Sequence, residues 1–188
     1  MLTAYSRQYA TTIGTALHDI AAKRIEHHAK LYKNTKNEVY LNLEMYYGIP
    51  GYIIDRALDY DIVYDNLMTY VNDAIGYRMV PEQILYYSDN CFGTADAINN
   101  LNNIFKNRFL RIHDLKTGTT PVHIEQLEIY AALFCLEYNV KPSDIEMELC
   151  IYQGNNVIVH NPTPEDIVPI MDKIITNDKW INKLKEEN

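Results

Sequence analysis

Apolar residues recur at three- and four-residue steps from Thr11 to about Tyr32, at Ile13, Leu17, Ile20, Ala21 and Ile25, with Lys23, Arg24 and Lys30 between them. That period predicts a long amphipathic first helix. Residues 38–80 are interrupted by Gly48-Ile49-Pro50-Gly51 and show helical spacing at 53–58 and 63–75, so they read as a helical insert. After Pro81 the pattern changes. Residues 84–87, 92–98 and 109–115 are short β-prone runs parted by Asp-Asn and Asn-Asn turn signals, which predicts a three-strand meander. Helical spacing returns over 123–139 through Ile124, Leu127, Tyr130, Ala131, Phe134 and Cys135, with Pro142 beyond as a stop. Residues 145–152 and 157–159 predict two further strands around the Gly154-Asn155-Asn156 turn, and Thr163-Pro164-Glu165 opens a last helix with a cap and an N1 proline. The last residues, 185–188, read as a fraying end. The expected fold class is mixed α/β: helix, three strands, helix, strand, with the sheet flanked by helices.

Length and composition change this picture little. The 188 residues, 47% hydrophobic and 22% charged, suit one compact domain over 1–188, with a helical part and insert over 1–80 and a sheet with its helices over 81–178. The longest apolar run, 129–136, is far short of the roughly 20 residues a membrane-spanning helix needs. The first residues lack the charged start and apolar middle of a secretory signal, so a cytoplasmic location is expected. Cys91, Cys135 and Cys150 are odd in number and show no Cys-x-x-Cys spacing, and the histidines have no ligand spacing among themselves. Neither a disulfide framework nor a zinc site follows from that pattern. The net charge of -8 argues against a surface coated in Lys and Arg for nucleic acid. A local basic groove at Lys23, Arg24 and Lys30 remains the best DNA contact, although such a stretch is more often a solvated helix face.

The most informative segment is Asp114-Leu115-Lys116-Thr117-Gly118, since period-2 geometry puts Asp114 and Lys116 on one strand face. Asp96 is a charged residue in an otherwise small and apolar run, and a buried carboxylate needs a partner or a metal. Two carboxylates meeting across neighbouring strands repel each other unless a divalent cation neutralises them, and oxygen ligands suit Mg2+ or Mn2+. Taken alone, an acid/Lys pair in a strand is more often a plain salt bridge.

The joint pattern resembles the PD-(D/E)XK nuclease superfamily and, within it, the RecB-like and CRISPR-associated exonuclease branch. Gly93-Thr94-Ala95-Asp96-Ala97-Ile98 is similar to its Gly-x-x-Asp strand, and Asp114-Leu115-Lys116-Thr117-Gly118 to its Asp-Tyr-Lys-Thr-Gly signature, with Leu for Tyr. Gln126-Leu127-Glu128-Ile129-Tyr130 matches its Gln-x-x-x-Tyr helix, and Gly14-Thr15-Ala16-Leu17-His18 resembles its Gly-Thr-x-x-His segment. The resemblance implies a restriction-endonuclease-like core and a Mg2+- or Mn2+-dependent deoxyribonuclease, in the form of a stand-alone exonuclease of DNA recombination, repair or phage DNA metabolism. A nicking or restriction-like endonuclease and a noncatalytic DNA-binding or assembly subunit are the alternatives. It further implies that His18, Asp96, Asp114 and the Leu115 carbonyl ligate the metal, with Glu82 as a further acid. Asp96, Asp114, Lys116, Gln126 and Tyr130 form the catalytic set, in which Lys116 positions the attacking water. Gln126 and Tyr130 also face the DNA strand. The partners implied are DNA ends or single strands and a recombination or replication protein, with self-association left open and no membrane. The four cysteines of the iron-sulfur variants are not matched, so no cluster is expected.

Overall fold

The computed structural model describes residues 2–35, 60–99, 101–118, 120 and 122–187. The Gly48–Gly51 break and the helical spacing at 53–58 lie outside them. The elements in order are α1 (Leu2–Thr35), α2 (Tyr60–Gly76), β1 (Met79–Ser88), β2 (Cys91–Asn99), α3 (Leu101–Asn107), β3 (Phe109–Lys116), α4 (Glu125–Glu137), a 3-10 turn (Pro142–Asp144), β4 (Glu146–Gln153), β5 (Asn156–His160) and α5 (Pro164–Glu186). Helix α1 is longer than its apolar period indicates. Strand β1 starts ahead of Pro81, which is tolerated because β1 is an edge strand. The asparagines after β2 do not make a plain turn: Leu101 and Ile104 close a short helix there, with Ile104 buried. Of the stretch expected to fray, Lys185 and Glu186 are still helical in α5 and Glu187 caps it.

The five strands lie in the order β1-β2-β3-β4-β5, and only the β3–β4 pair is parallel. A parallel pair needs a crossover, and α4 supplies it. One face of the sheet packs Leu85, Ile98, Leu110, Ile112, Leu149 and Ile151 against Leu127, Ala131 and Phe134 of α4 and Ile167 and Ile174 of α5. The other face packs Met79, Ala97, Leu115, Cys150 and Tyr152 against Leu17, Ala21 and Ile25 of α1 and Leu67, Tyr70, Val71 and Ala74 of α2. The sheet is therefore a middle layer between two helical layers, an α/β arrangement.

Strict alternation fails in the middle of β1 and β2, and that irregularity positions the site. On β1, Met79 faces α1 and α2 while Leu85, also an odd residue, faces α4; on β2, Ala97 and Ala95 divide in the same way. Side chains two apart share a face in a regular strand, so both strands reverse between these residues. The reversal falls at Glu82, whose φ of 51° is left-handed. Pairing of Pro81 with Ala97 and Gln83 with Ala95 sets Glu82 opposite Asp96. Beyond Ala97↔His113 the β2–β3 ladder ends, and the two strands fork.

Candidate active site

The register alone lines up three carboxylates. Glu82 stands opposite Asp96 on β1 and β2, and Asp96 is next in register to Asp114 on β3, so an acid row crosses three adjacent strands at the fork. Opposed residues on neighbouring strands stand about 5 Å apart, close enough for their charges to act strongly on one another. Asp96 repairs the broken ladder with its side chain: its Oδ2 accepts the Leu115 N–H at 2.8 Å. In an extended strand the N–H and C=O of one residue point to the same edge, so the Leu115 carbonyl also faces the fork.

Helix α1 adds the imidazole. His18 Nδ1 lies 3.3 Å from Asp96 Oδ2. One turn earlier, Gly14 lets the helix approach the end of β3, where a Cβ would stand only 3.0 Å from Thr117 Oγ1. His18, Glu82 and Asp96 each offer one ligand atom, and these atoms lie within 4.8 Å of one another. Asp114 closes the row from the buried side, being 3% exposed.

Lys116 reaches the same point from the end of β3. Its ammonium donates to Asp114 Oδ1 at 3.1 Å, while Oδ2 sits 2.9 Å away at an angle too poor for a hydrogen bond and has no donor of its own. Nζ also donates to Gln126 Oε1 at 2.9 Å, and Gln126 Nε2 donates to Tyr130 Oη at 2.8 Å. The i,i+4 spacing on α4 makes this relay geometrically natural. Gly93 explains why Tyr130 can lie so near the sheet: a Cβ there would come within 2.8 Å of its Cε1.

Electrostatics records a shortage of positive charge. Burial and the neighbouring Asp96 charge raise the Asp114 carboxyl above its ordinary value, although Lys116 and His18 pull it down. Burial, then Asp96, raises Glu82 as well. Burial alone would lower His18, but its hydrogen bond to Asp96 and the charges of Asp96, Asp114 and Glu82 outweigh it and hold the imidazole above its usual value. Three carboxylates thus share one ammonium and one imidazole. The three carboxylates, the imidazole and the Leu115 carbonyl offer oxygen and nitrogen ligand atoms of the kind that suits a hard divalent cation such as Mg2+ or Mn2+.

The basic groove expected on α1 is not assembled as read. Arg24 is buried against α2, with Nη1 donating to Met68 Sδ at 2.7 Å, because an α1–α2 interface needs that face. Lys23 is exposed, and Lys30 is exposed and paired with Glu26. Asn66 of α2 was not among the expected residues. It is 6% exposed and donates to the carbonyls of Lys116 and Tyr152, both at 3.3 Å, pinning the end of β3 that carries Lys116. A polar residue on the buried stripe of an amphipathic helix was its only signal.

No family model matches the chain, and no curated protein matches it. Among solved structures, one described as "Crystal structure of SSO0001" is similar with a TM-score of 0.33 and 10% identity, covering 94% of this chain and 86% of that one. A likeness of that level carries no argument.

Proposed function

We propose that the chain is a metal-dependent deoxyribonuclease that hydrolyses phosphodiester bonds, working from DNA ends. The observation that carries this reading is the row Glu82–Asp96–Asp114 beside His18 and Lys116 at the fork of β2 and β3. The meander β1–β2–β3, the crossover α4 and the parallel β4 are in the order of a restriction-endonuclease-like core. The ends-first mode comes from the motif resemblance.

His18, Glu82, Asp96, Asp114 and the Leu115 carbonyl would hold the cation, which when bound acidifies water and draws charge from the phosphoryl oxygen. Lys116 supplies a second, fixed positive charge. Its ammonium is preorganised by Asp114 and Gln126, so it costs little reorganisation as charge builds on the phosphate oxygens or the incoming water. Tyr130 fixes the amide of Gln126, and through it the second hydrogen-bond direction of the Lys116 ammonium. Asn66 holds the strand end from below. A scaffold of strands and helix faces, with no loop in the set, gives the constellation its rigidity.

The deciding experiment incubates the protein with linear and covalently closed circular DNA in Mg2+ or Mn2+. Loss of linear DNA with circles intact supports the reading, and chelation or Asp114→Asn must abolish it. Cutting of circles replaces the ends-first mode by endonucleolytic action. DNA binding with no cleavage in either metal would sink the enzymatic reading altogether.

A further inference from the structure

On the face of the sheet that packs α1 and α2, the parallel register puts His113 beside Cys150 and Arg111 beside Glu148. His113, Glu148 and Cys150 each offer one ligand atom, all within 4.8 Å of one another. The proton on His113 can be placed. Tyr152 Oη spends its one hydrogen on Asp73 Oδ2 at 2.7 Å, so its 3.2 Å contact with His113 Nδ1 requires Nδ1 to be the donor. Nε2 is then a bare acceptor. It belongs to a side chain of 0% exposure and has no hydrogen-bond partner among the described residues. A buried acceptor left without a donor costs about 1–3 kcal/mol.

We infer that His113 Nε2, the Cys150 sulfur and the Glu148 carboxylate form a binding site for a thiophilic divalent cation of the zinc class. The site is independent of the proposed nuclease centre and its ligands differ in kind: imidazole, thiolate and one carboxylate select Zn2+ or Co2+ over Mg2+. The chain Asp73–Tyr152–His113 is the outer-shell arrangement that orients a metal-binding imidazole, with the far nitrogen donating into a hydrogen-bonded relay. Arg111 holds Glu148 in an ion pair and lies over the Tyr77 ring at 3.6 Å. Both members of that pair are partly exposed, so ion and water reach the cluster from their side. On binding, the Cys150 S–H bond breaks, its proton passes to solvent and the sulfur bonds the cation. No oxidant or reductant is needed.

The test is a Co2+ titration of the metal-stripped full chain under a phosphine reductant. A near-ultraviolet thiolate-to-Co2+ charge-transfer band should saturate at about one ion per chain and bleach with one equivalent of Zn2+. Cys150→Ser and His113→Gln should each weaken the band by roughly tenfold or more, while Cys91→Ser, Cys135→Ser and Asp96→Asn leave it intact. Because a core variant can fail to fold, the parent protein supplies a second measurement, in which Zn2+ should slow alkylation of Cys150 read by mass spectrometry. Absence of the band at equimolar Co2+, its survival in folded Cys150→Ser, or unprotected Cys150 would each overturn the site. A cleavage failure with the band present would fault the nuclease reading alone.

Discussion

Asp114 pays an electrostatic cost that its neighbours only partly relieve. Burial and Asp96 hold its carboxyl above the ordinary range despite Lys116. Replacing it with the isosteric amide removes the repelled charge, so Asp114→Asn should melt in chelator no lower than the parent. Mn2+ at about 100 times its dissociation constant should add about 2.7 kcal/mol to the parent, roughly 5–10 °C for a chain of this size, and much less to Asp114→Asn. Equal metal shifts in both would remove Asp114 from the site. Lys116 behaves in the opposite manner, since an ammonium beside a cation does not help to hold it. Lys116→Met should keep the metal-induced stabilisation yet lose roughly 100-fold or more in DNA turnover, the usual size of one lost electrostatic stabiliser. Gly93 offers a third test. Gly93→Ala must push against the Tyr130 ring, with a cost of about 1–3 kcal/mol in thermal or denaturant melting, while Gly93→Ala combined with Tyr130→Ala should recover part of it.

At the scale of elements, much of the chain was legible because each helix and strand buries one face and writes its period into the sequence. The α1 stripe Leu17, Ala21, Ile25 and the α4 residues Leu127, Ala131, Phe134 are the clearest cases. Asp96, Asp114, Lys116, Gln126 and Tyr130 were legible as motifs, and the structure brings them together with His18. What could not be read were features that exist only between strands. The reversal of facing at Glu82 leaves no mark on a pattern of apolar residues, and the meeting of His113 with Cys150 depends on the β3–β4 register. Arg24 was misread because a long side chain between apolar positions looks solvated until a second helix covers it. Glu82 makes the reversal testable. Glycine inside a strand is ordinarily worse than alanine, but at a φ of 51° the penalty on a Cβ reverses the order. Glu82→Gly should therefore be more stable than Glu82→Ala by about 1 kcal/mol in chelator, measured by denaturant melts. Alanine as the more stable variant would mean that the backbone there is ordinary.

For the whole molecule, the layer formed by α1 and α2 on the sheet closes over an imidazole that must stay neutral. Burial, with Arg111 nearby, pushes His113 down to about 3, against an ordinary value of 6.5. Above pH 6.5 neither the folded nor the unfolded chain protonates this ring, and its contribution is constant. Between 6.5 and 3 the unfolded chain takes up a proton that the fold refuses, so stability falls by about 1.4 kcal/mol per pH unit once the unfolded ring is charged. That amounts to a loss of about 2 kcal/mol at pH 5 relative to pH 8. The carboxyls of the candidate site work against this trend, since Glu82 and Asp114 have raised values and their folded forms gain protons as the pH falls. The raw profile is thus a sum of opposed slopes, and comparison with His113→Gln isolates the one that belongs to the core. In chelator, the difference in unfolding free energy between parent and His113→Gln should move by about 2 kcal/mol against the parent from pH 8 to pH 5. Parallel profiles for the two proteins would show that His113 takes up its proton inside the fold, and with it that the Tyr152–Asp73 relay does not hold the ring in its neutral form.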